Sequence, residues 1–255
     1  MKPARSPLFS IITVTYNAAA TINATLDSVR EQTFEDYEHL IIDGASADST
    51  VEIVNSYNNA KTVVISEKDD GIYDAMNKGL SIAKGEYLIF MNAGDRFPDP
   101  RTLSHYASAI TENDYPGIVY GQTRLVDING NYVGERHLKA PERLTLDSFK
   151  NGMVVCHQAM AVNHKIALLF NRKYKYSSDY EWVIVCLQHS RKNVYLKENT
   201  VDYLCEGATT THHKDSLYER YCIMCTYYGT IPTLLRHIKF AFRYLIRRRN
   251  AKTIQ

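Results

Sequence analysis

The sequence predicts an α/β protein with a Rossmann-like, mostly parallel sheet flanked by helices, and three observations predict it. Across the first hundred residues, short runs rich in β-branched side chains alternate with stretches of helical period. Repeated strand-helix-strand order is the pattern of a parallel sheet covered on both faces. Polar and acidic residues gather at the carboxyl ends of the runs, where such sheets bind ligands.

The elements follow in order. SIITVTY (10–16) reads as a buried strand leading into Thr15, Tyr16 and Asn17. Asn17 is placed to cap a helix on which Ile22, Leu26 and Val29 recur at i, i+4 and i+7. YEHLIID (37–43) is a second strand ending on Asp43, and STVEIVNSY (49–57) a short helix with Asp48 as its N-cap. TVVISE (62–67) is a third strand, followed by Asp69 and Asp70. YDAMNKGLSIAK (73–84) is a third helix, stopped by Gly85 as a C-terminal cap. EYLIFMN (86–92) is a fourth strand, opening into Asn92-Ala93-Gly94-Asp95. Four strand ends therefore converge on one rim.

The first strand-to-helix turn, TYNAAAT, has no glycine, which excludes a dinucleotide fingerprint and a P-loop. Carboxylates at the rim suggest instead that Mg²⁺ or Mn²⁺ stands between protein and diphosphate. Further along, SSDYE reads as a capping box, Ser178 to Glu181, with Asp179 in the first helical turn. There the macrodipole keeps a carboxylate ionised, as a general base requires.

Composition narrows the function classes. With 255 residues, the chain makes one large domain or a domain with an appendage. A net charge of +2 is too small to indicate a nucleic-acid partner. From Ile231 onward there are seven Lys and Arg and no acid, and an apolar stripe (Leu234, Ile238, Phe242, then Leu245 or Ile246) accompanies Arg236, Lys239, Arg243 and Arg247. This C-terminal amphipathic extension is expected to touch an anionic membrane surface peripherally. Five cysteines without framework spacing read as reduced thiols of a cytoplasmic protein. Cys222-x-x-Cys225 with His212 and His213 lacks structural-zinc spacing, so core thiols are expected. Lys2 and Arg5 precede an apolar run too short for a signal peptide, and no stretch is long enough to span a bilayer.

Taken together, SIITVTYNA, HLIIDGASADST, GIYDAMNKGLSIAKGEYLIFMNAGD and SSDYEW resemble family 2 glycosyltransferases, the inverting, nucleotide-sugar-dependent enzymes of GT-A fold. The subtype resembled builds bacterial surface polysaccharides, including colanic-acid-type enzymes. The likeness is close over the first hundred residues and loose to about residue 210. It implies a nucleotide-binding half (1–100), an acceptor-binding half (101–215) and a helical basic tail (216–255).

The resemblance also implies roles. Tyr16 and Asn17 would lie beside the nucleobase, Thr15 would belong to the same nucleotide-sugar site, and Asp43 would accept from the uracil N–H. Asp69 and Asp70 would stand near base and ribose, with Asp74, Asn77 and Lys78 toward ribose and diphosphate. Asn92 would meet a ribose or sugar hydroxyl, Asp95 would hold Mg²⁺ or Mn²⁺, and Asp179 would be the general base. His157 and Gln158 would lie on the acceptor side. The donor would be a UDP-sugar and the acceptor a glycan or a lipid-linked sugar.

Two departures stand out. The family's Asp-x-Asp is replaced by Asn92-Ala93-Gly94-Asp95, leaving a weaker metal site or a further ligand from His157, His212 or His213. Met76 stands where relatives carry an arginine. A nucleotidyltransferase and an inactive sugar-nucleotide-binding protein are the competing readings.

Overall fold

The computed structural model describes residues 6–205 and 213–240. Strands β1 (Phe9–Thr15), β2 (Tyr37–Asp43), β3 (Thr62–Ser66) and β4 (Tyr87–Phe90) lie parallel in the order β3-β2-β1-β4. Helices α1 (Ile22–Arg30), α2 (Thr50–Ser56) and α3 (Ile72–Ile82) connect them. Every residue of β1 is buried, which fits a strand built of apolar and β-branched side chains with one serine. The β1–β2 register runs from Phe9 opposite Tyr37 to Thr15 opposite Asp43, and Asp43 in turn faces Ser66. These strand ends are therefore level, and their polar residues share one edge.

The second half extends the same sheet. After α4 (Thr102–Glu112) come β5 (Ile118–Val126), β6 (Tyr132–Glu135), β7 (Met160–Asn163), α5 (Ser178–His189), β8 (Asn193–Leu204) and α6 (His213–Tyr228). Beyond β4 the order is β7-β5-β6, each pair antiparallel, with β8 parallel beside β5. One eight-stranded sheet thus joins the two halves.

Several expected caps take other forms. Gly85 is not a left-handed cap, since α3 ends at Ile82 and Ala83 already leaves the helix at ψ 135°. A Cβ at residue 85 would stand 2.3 Å from the Ser10 backbone nitrogen, so close chain approach is what requires glycine. Asn17 does not cap α1, which begins five residues later. Its φ is 48°, and its side chain accepts from Ala47 N–H. Asp48 lies one residue ahead of the cap position Ser49 and accepts from Thr50 N–H. The Ser178–Glu181 box does not form because Ser177 holds the cap position, which moves Glu181 out of the third helical place. Ser178 donates to the Asn171 carbonyl, and Glu181 accepts from the Tyr227 hydroxyl.

Cys222 and Cys225 are free thiols on α6. Among the described residues, no helix is long and apolar enough to cross a membrane. Residues 230–240 are helical. Thr233 faces the body, and Arg236 donates to the Asn151 side chain at 2.7 Å. Ile231, Leu234, Leu235 and Ile238 point the other way and are half or more exposed. His212, Phe242, Arg243, Leu245, Ile246 and Arg247 lie outside the described residues.

His39 lies buried in β2 with Nε2 2.9 Å from the Thr13 hydroxyl. Burial pushes its pKa down to about 3. The unfolded chain binds a proton there below about pH 6.5 while the folded chain does not, so stability falls as pH drops from that value toward 3. Urea unfolding at pH 5 should show a loss of about 2 kcal/mol relative to pH 7 from this group. His39→Gln should remove that part of the pH dependence; an unchanged dependence would exclude His39 as its source.

Candidate active site

The level ends of β1 to β3 and the segment that follows β4 border a cleft of about 890 Å³. Thr15, Tyr16, Asp69, Asp70, Asn92 and Asp95 line it. Two buried polar atoms of this wall, Thr15 Oγ1 and Asn92 Oδ1, have no partner among the described residues. Buried polar atoms are rarely left unpaired, so both are open to a ligand. Gly44 also lines the cleft, and a Cβ there would stand 2.5 Å from Asp69 Oδ2 and 3.3 Å from the Tyr16 ring. Its missing side chain lets an exposed aromatic face and a carboxylate meet at one corner.

Asp43 is buried behind this wall and is absent from the lining. Its carboxylate accepts from Ser46 N–H at 2.9 Å, from the Ser46 hydroxyl and from the Ser66 hydroxyl at 2.7 Å. Asn17 meets the same loop, its N–H donating to Ser46 Oγ and its Oδ1 accepting from Ala47. Both residues shape the wall around the first two strand ends.

The 92–95 turn is held from several sides. The Thr25 hydroxyl donates to the Asp95 carbonyl at 2.7 Å and accepts from Gly94 N–H at 2.8 Å. Gly94 has φ 100°, a left-handed conformation that favours glycine. Asp95 itself is only 3% exposed. Its Oδ1 accepts from Leu204 N–H at 3.0 Å and its Oδ2 from Gln158 Nε2 at 3.1 Å. Burial pushes this carboxyl up to about 7 despite those two bonds. Each oxygen keeps a second lone pair. One carboxylate beside the unpaired Asn92 amide oxygen fits a hard divalent cation that takes its remaining ligands from phosphate and water. Among the described residues, no group of three or more His, Cys, Asp or Glu side chains forms a self-sufficient metal site.

A second carboxylate stands nearby. Asp179, in the first turn of α5, has its side chain 16% exposed. Tyr73 donates its hydroxyl to Oδ1 at 2.9 Å, and His157 Nδ1 stands 3.3 Å from Oδ2, off the line of a full hydrogen bond. Burial pushes the Asp179 pKa up, but contact with His157, the Arg220 charge and the Tyr73 hydrogen bond together bring it below the ordinary carboxylate value. Asp179 is therefore ionised at neutral pH. Because Gln158 bonds Asp95 while its neighbour His157 adjoins Asp179, one short turn touches both acids.

Three residues expected at the ligand have other partners. The Asn77 side chain exchanges two hydrogen bonds with the Phe170 backbone, at 2.9 and 2.7 Å. Lys78 pairs with Glu67 at 2.9 Å and donates to the Lys68 carbonyl at 2.7 Å. Asp74 pairs with Arg172 at 3.1 Å and accepts from Asp70 N–H. None of the three lines the cleft. They tie α3 to the loop before it and to the 168–172 loop.

Sequence reasoning missed Tyr73, Thr25, Arg172 and Arg220. An aromatic residue in the polar first turn of a helix was the available signal for Tyr73. Arg172 pairs with both Asp70 and Asp74, more than ninety residues away, and no local spacing announces that.

The family model and the sequence relatives agree on one family, and the solved structures share its fold. The chain matches Glycosyl transferase family 2 over residues 10–170. It is 33% identical over 190 residues to the PGL/p-HBAD biosynthesis glycosyltransferase of Mycobacterium tuberculosis (strain H37Ra), covering 72% of this chain and 71% of that one. A candidate teichuronic acid biosynthesis glycosyltransferase of Bacillus subtilis (strain 168), TuaG, is 30% identical over 158 residues, covering 60% and 62%. Among solved structures, S. aureus TarS 1-349 in complex with UDP-GlcNAc superposes with a TM-score of 0.70 at 22% identity, covering 85% of this chain and 64% of that one. The mannosyltransferase PcManGT from Pyrobaculum calidifontis, in complex with GDP-Man and Mn²⁺, gives 0.62 at 15% identity, covering 99% and 82%.

The far side of the 92–95 turn rests on Asp202. Arg96 and Asp202 exchange two backbone hydrogen bonds, and the buried Asp202 carboxylate takes Arg124 at 2.6 and 2.8 Å and Arg96 at 3.2 Å. Asp202→Ala should lower the urea unfolding free energy by about 3 kcal/mol, because two guanidinium groups lose their counter-charge. A loss below about 0.5 kcal/mol would mean that solvent compensates the two arginines.

Proposed function

The chain belongs to glycosyl transferase family 2 and is a glycosyltransferase of GT-A fold; on that premise we propose that it moves a sugar from a UDP-sugar to a hydroxyl of a glycan or lipid-linked acceptor, with inversion, in surface-polysaccharide synthesis. One observation carries the reading. An ionised carboxylate on a rigid helix start, Asp179, adjoins His157, whose neighbour Gln158 holds the cleft-lining Asp95. The relatives named for glycolipid and teichuronic acid biosynthesis support the product class. The fold neighbours crystallised with UDP-GlcNAc and with GDP-Man support a nucleotide-sugar donor.

The chemistry follows from the two carboxylates. Tyr16, Asp69 and the unpaired Thr15 hydroxyl bind and orient the nucleoside portion in the cleft. Asn92 offers its amide oxygen to a ribose or sugar hydroxyl, or to the cation. The acceptor oxygen attacks the anomeric carbon while Asp179 takes its proton, and the bond from that carbon to the diphosphate oxygen breaks. The proton ends on Asp179 and the electron pair on the departing UDP, so an α-linked donor yields a β-linked product. Mg²⁺ or Mn²⁺ bound through Asp95 would neutralise charge on the leaving diphosphate. The manganese in the PcManGT complex supports the use of a divalent cation.

Membrane contact belongs to the same proposal. The exposed side chains of Ile231, Leu234, Leu235 and Ile238 form one apolar face on a segment whose sequence carries only basic charges. Apolar burial and attraction to anionic lipid act together on such a surface.

Asp179→Asn should lower sugar transfer at least about 100-fold while leaving UDP affinity by calorimetry unchanged. Full turnover would remove Asp179 from the mechanism. A thermal-shift screen of UDP-, GDP- and dTDP-sugars should show the largest stabilisation with a UDP-sugar and Mn²⁺. Asp95→Asn should erase the manganese-dependent part of that shift; its persistence would place the cation elsewhere. The protein should sediment with phosphatidylglycerol vesicles and not with phosphatidylcholine vesicles. The double variant Ile231→Glu, Leu235→Glu should remain in the supernatant, and unaltered sedimentation would reject this face as the contact.

A further inference from the structure

We propose that Tyr73 is a positioning residue for the catalytic carboxylate, holding Asp179 ionised and oriented from the helix that also borders the donor cleft. The inference rests on the reading of Asp179 as the general base.

The geometry is specific. Tyr73 lies in the first turn of α3, directly after Asp69, Asp70, Gly71 and Ile72, all of which line the cleft. Its hydroxyl donates to Asp179 Oδ1 at 2.9 Å, across the space between α3 and α5. The ring is held by a stack: Tyr73 lies over Phe170 at 5.6 Å and 22°, and Phe170 over Trp182 at 4.9 Å and 12°. Phe90 meets Phe170 and Trp182 edge-on. Trp182 Nε1 donates to the Leu168 carbonyl, and the Asn77 side chain fixes the Phe170 backbone. The phenol is therefore anchored on its ring face and free to hold only its hydroxyl bond.

Other groups face Asp179, and among the described residues no other side chain bonds its Oδ1. His157 approaches the other oxygen at 3.3 Å from the 157–159 turn, Arg220 acts from α6 through its charge, and the Cys156 thiol lies close enough to feel Asp179. Glu219 acts on Tyr73 from α6. Burial and the neighbouring Asp179 charge push the Tyr73 hydroxyl well above its ordinary pKa, so it remains a donor throughout the working range. A hydrogen bond to the charged form of a carboxylate favours that form and lowers its pKa. A carboxylate with four lone-pair sites still has room for an acceptor hydroxyl.

The test is Tyr73→Phe, which keeps the ring and its stack. Carbon-13 NMR titration of the Asp179 carboxyl, assigned by its disappearance in Asp179→Asn, should show the midpoint rising by about one pH unit, a tenfold change in proton affinity. With UDP-N-acetylglucosamine as donor, UDP release should fall about tenfold in kcat, with donor KM within about threefold. The acid limb of the pH profile should move up with the carboxyl midpoint. Adding Tyr73→Phe to Asp179→Asn should bring no further loss, because the hydroxyl acts through that carboxylate. An unchanged Asp179 midpoint overturns the proposal, as does a fall in UDP affinity matching the fall in kcat. If Asp179→Asn keeps full turnover while the midpoint still shifts in Tyr73→Phe, the base assignment fails and the hydrogen bond stands.

Discussion

Two acids buried within reach of one short turn are the constraint on which this site depends. A carboxylate taken out of water must lose its charge or find compensation. Asp95 and Asp179 take different routes. Asp95 has two neutral donors and, among the described residues, no cationic side chain, and burial keeps its proton affinity high. Asp179 has a phenol, an imidazole and a distant guanidinium, and stays charged. Two carboxyl groups with separated proton affinities can do different work at one pH, one receiving a proton while the other waits for a cation. The His157–Gln158 pair, packed under Phe90 and bonded to Asp95, fixes their relation.

The sheet supplies the platform for both. Parallel strands with level ends put Thr15 and Asp43 side by side, and hydroxyl and amide contacts from Ser46, Ser66 and Asn17 knit the loops beyond them. Continuing the sheet through antiparallel β7 brings the 157–159 turn, which directly precedes that strand, beside the end of β4. Asp179 arrives on α5 and meets this turn through His157, just outside the cleft lining. Tyr203 and Leu204 of β8 complete the cleft lining, so the cleft draws on both halves of the chain, and neither half holds both acids.

The first four strands were legible because β1, β2 and β4 are buried, the edge strand β3 is rich in β-branched residues though only partly buried, and each runs into a polar stop. The strand-end residues Thr15, Tyr16, Asp69, Asp70, Asn92 and Asp95 were legible for the same reason, and all border the cleft. Strands β5 to β8 were not legible. Much of β6 and β8 is exposed or only half buried, and their pairings join distant segments in mixed directions. Polarity misled on α3. Asp74, Asn77 and Lys78 look like ligands in one dimension, but their partners Arg172, Phe170 and Glu67 come from loops that only the fold brings near. Caps misled because a shift of one residue moves a side chain to another helical position. That shift turned Ser178 from a cap into a link to Asn171. Tyr73 was hidden by its neighbours, since nothing local reveals a hydrogen bond spanning 106 residues of sequence.

The Asn77–Phe170 clamp carries a consequence for divergence. An amide side chain that grips both backbone groups of one residue recognises a place in the chain and is blind to what that residue's neighbours carry. Leu168 and Leu169 precede the gripped position and stand exposed. Substitutions at these two positions can accumulate while the loop keeps its mooring. Trp182 holds the Leu168 carbonyl and Arg172 pairs with Asp70 and Asp74, so grafted versions that keep these points together with the Asn77 clamp should dock in register beside the same carboxylate.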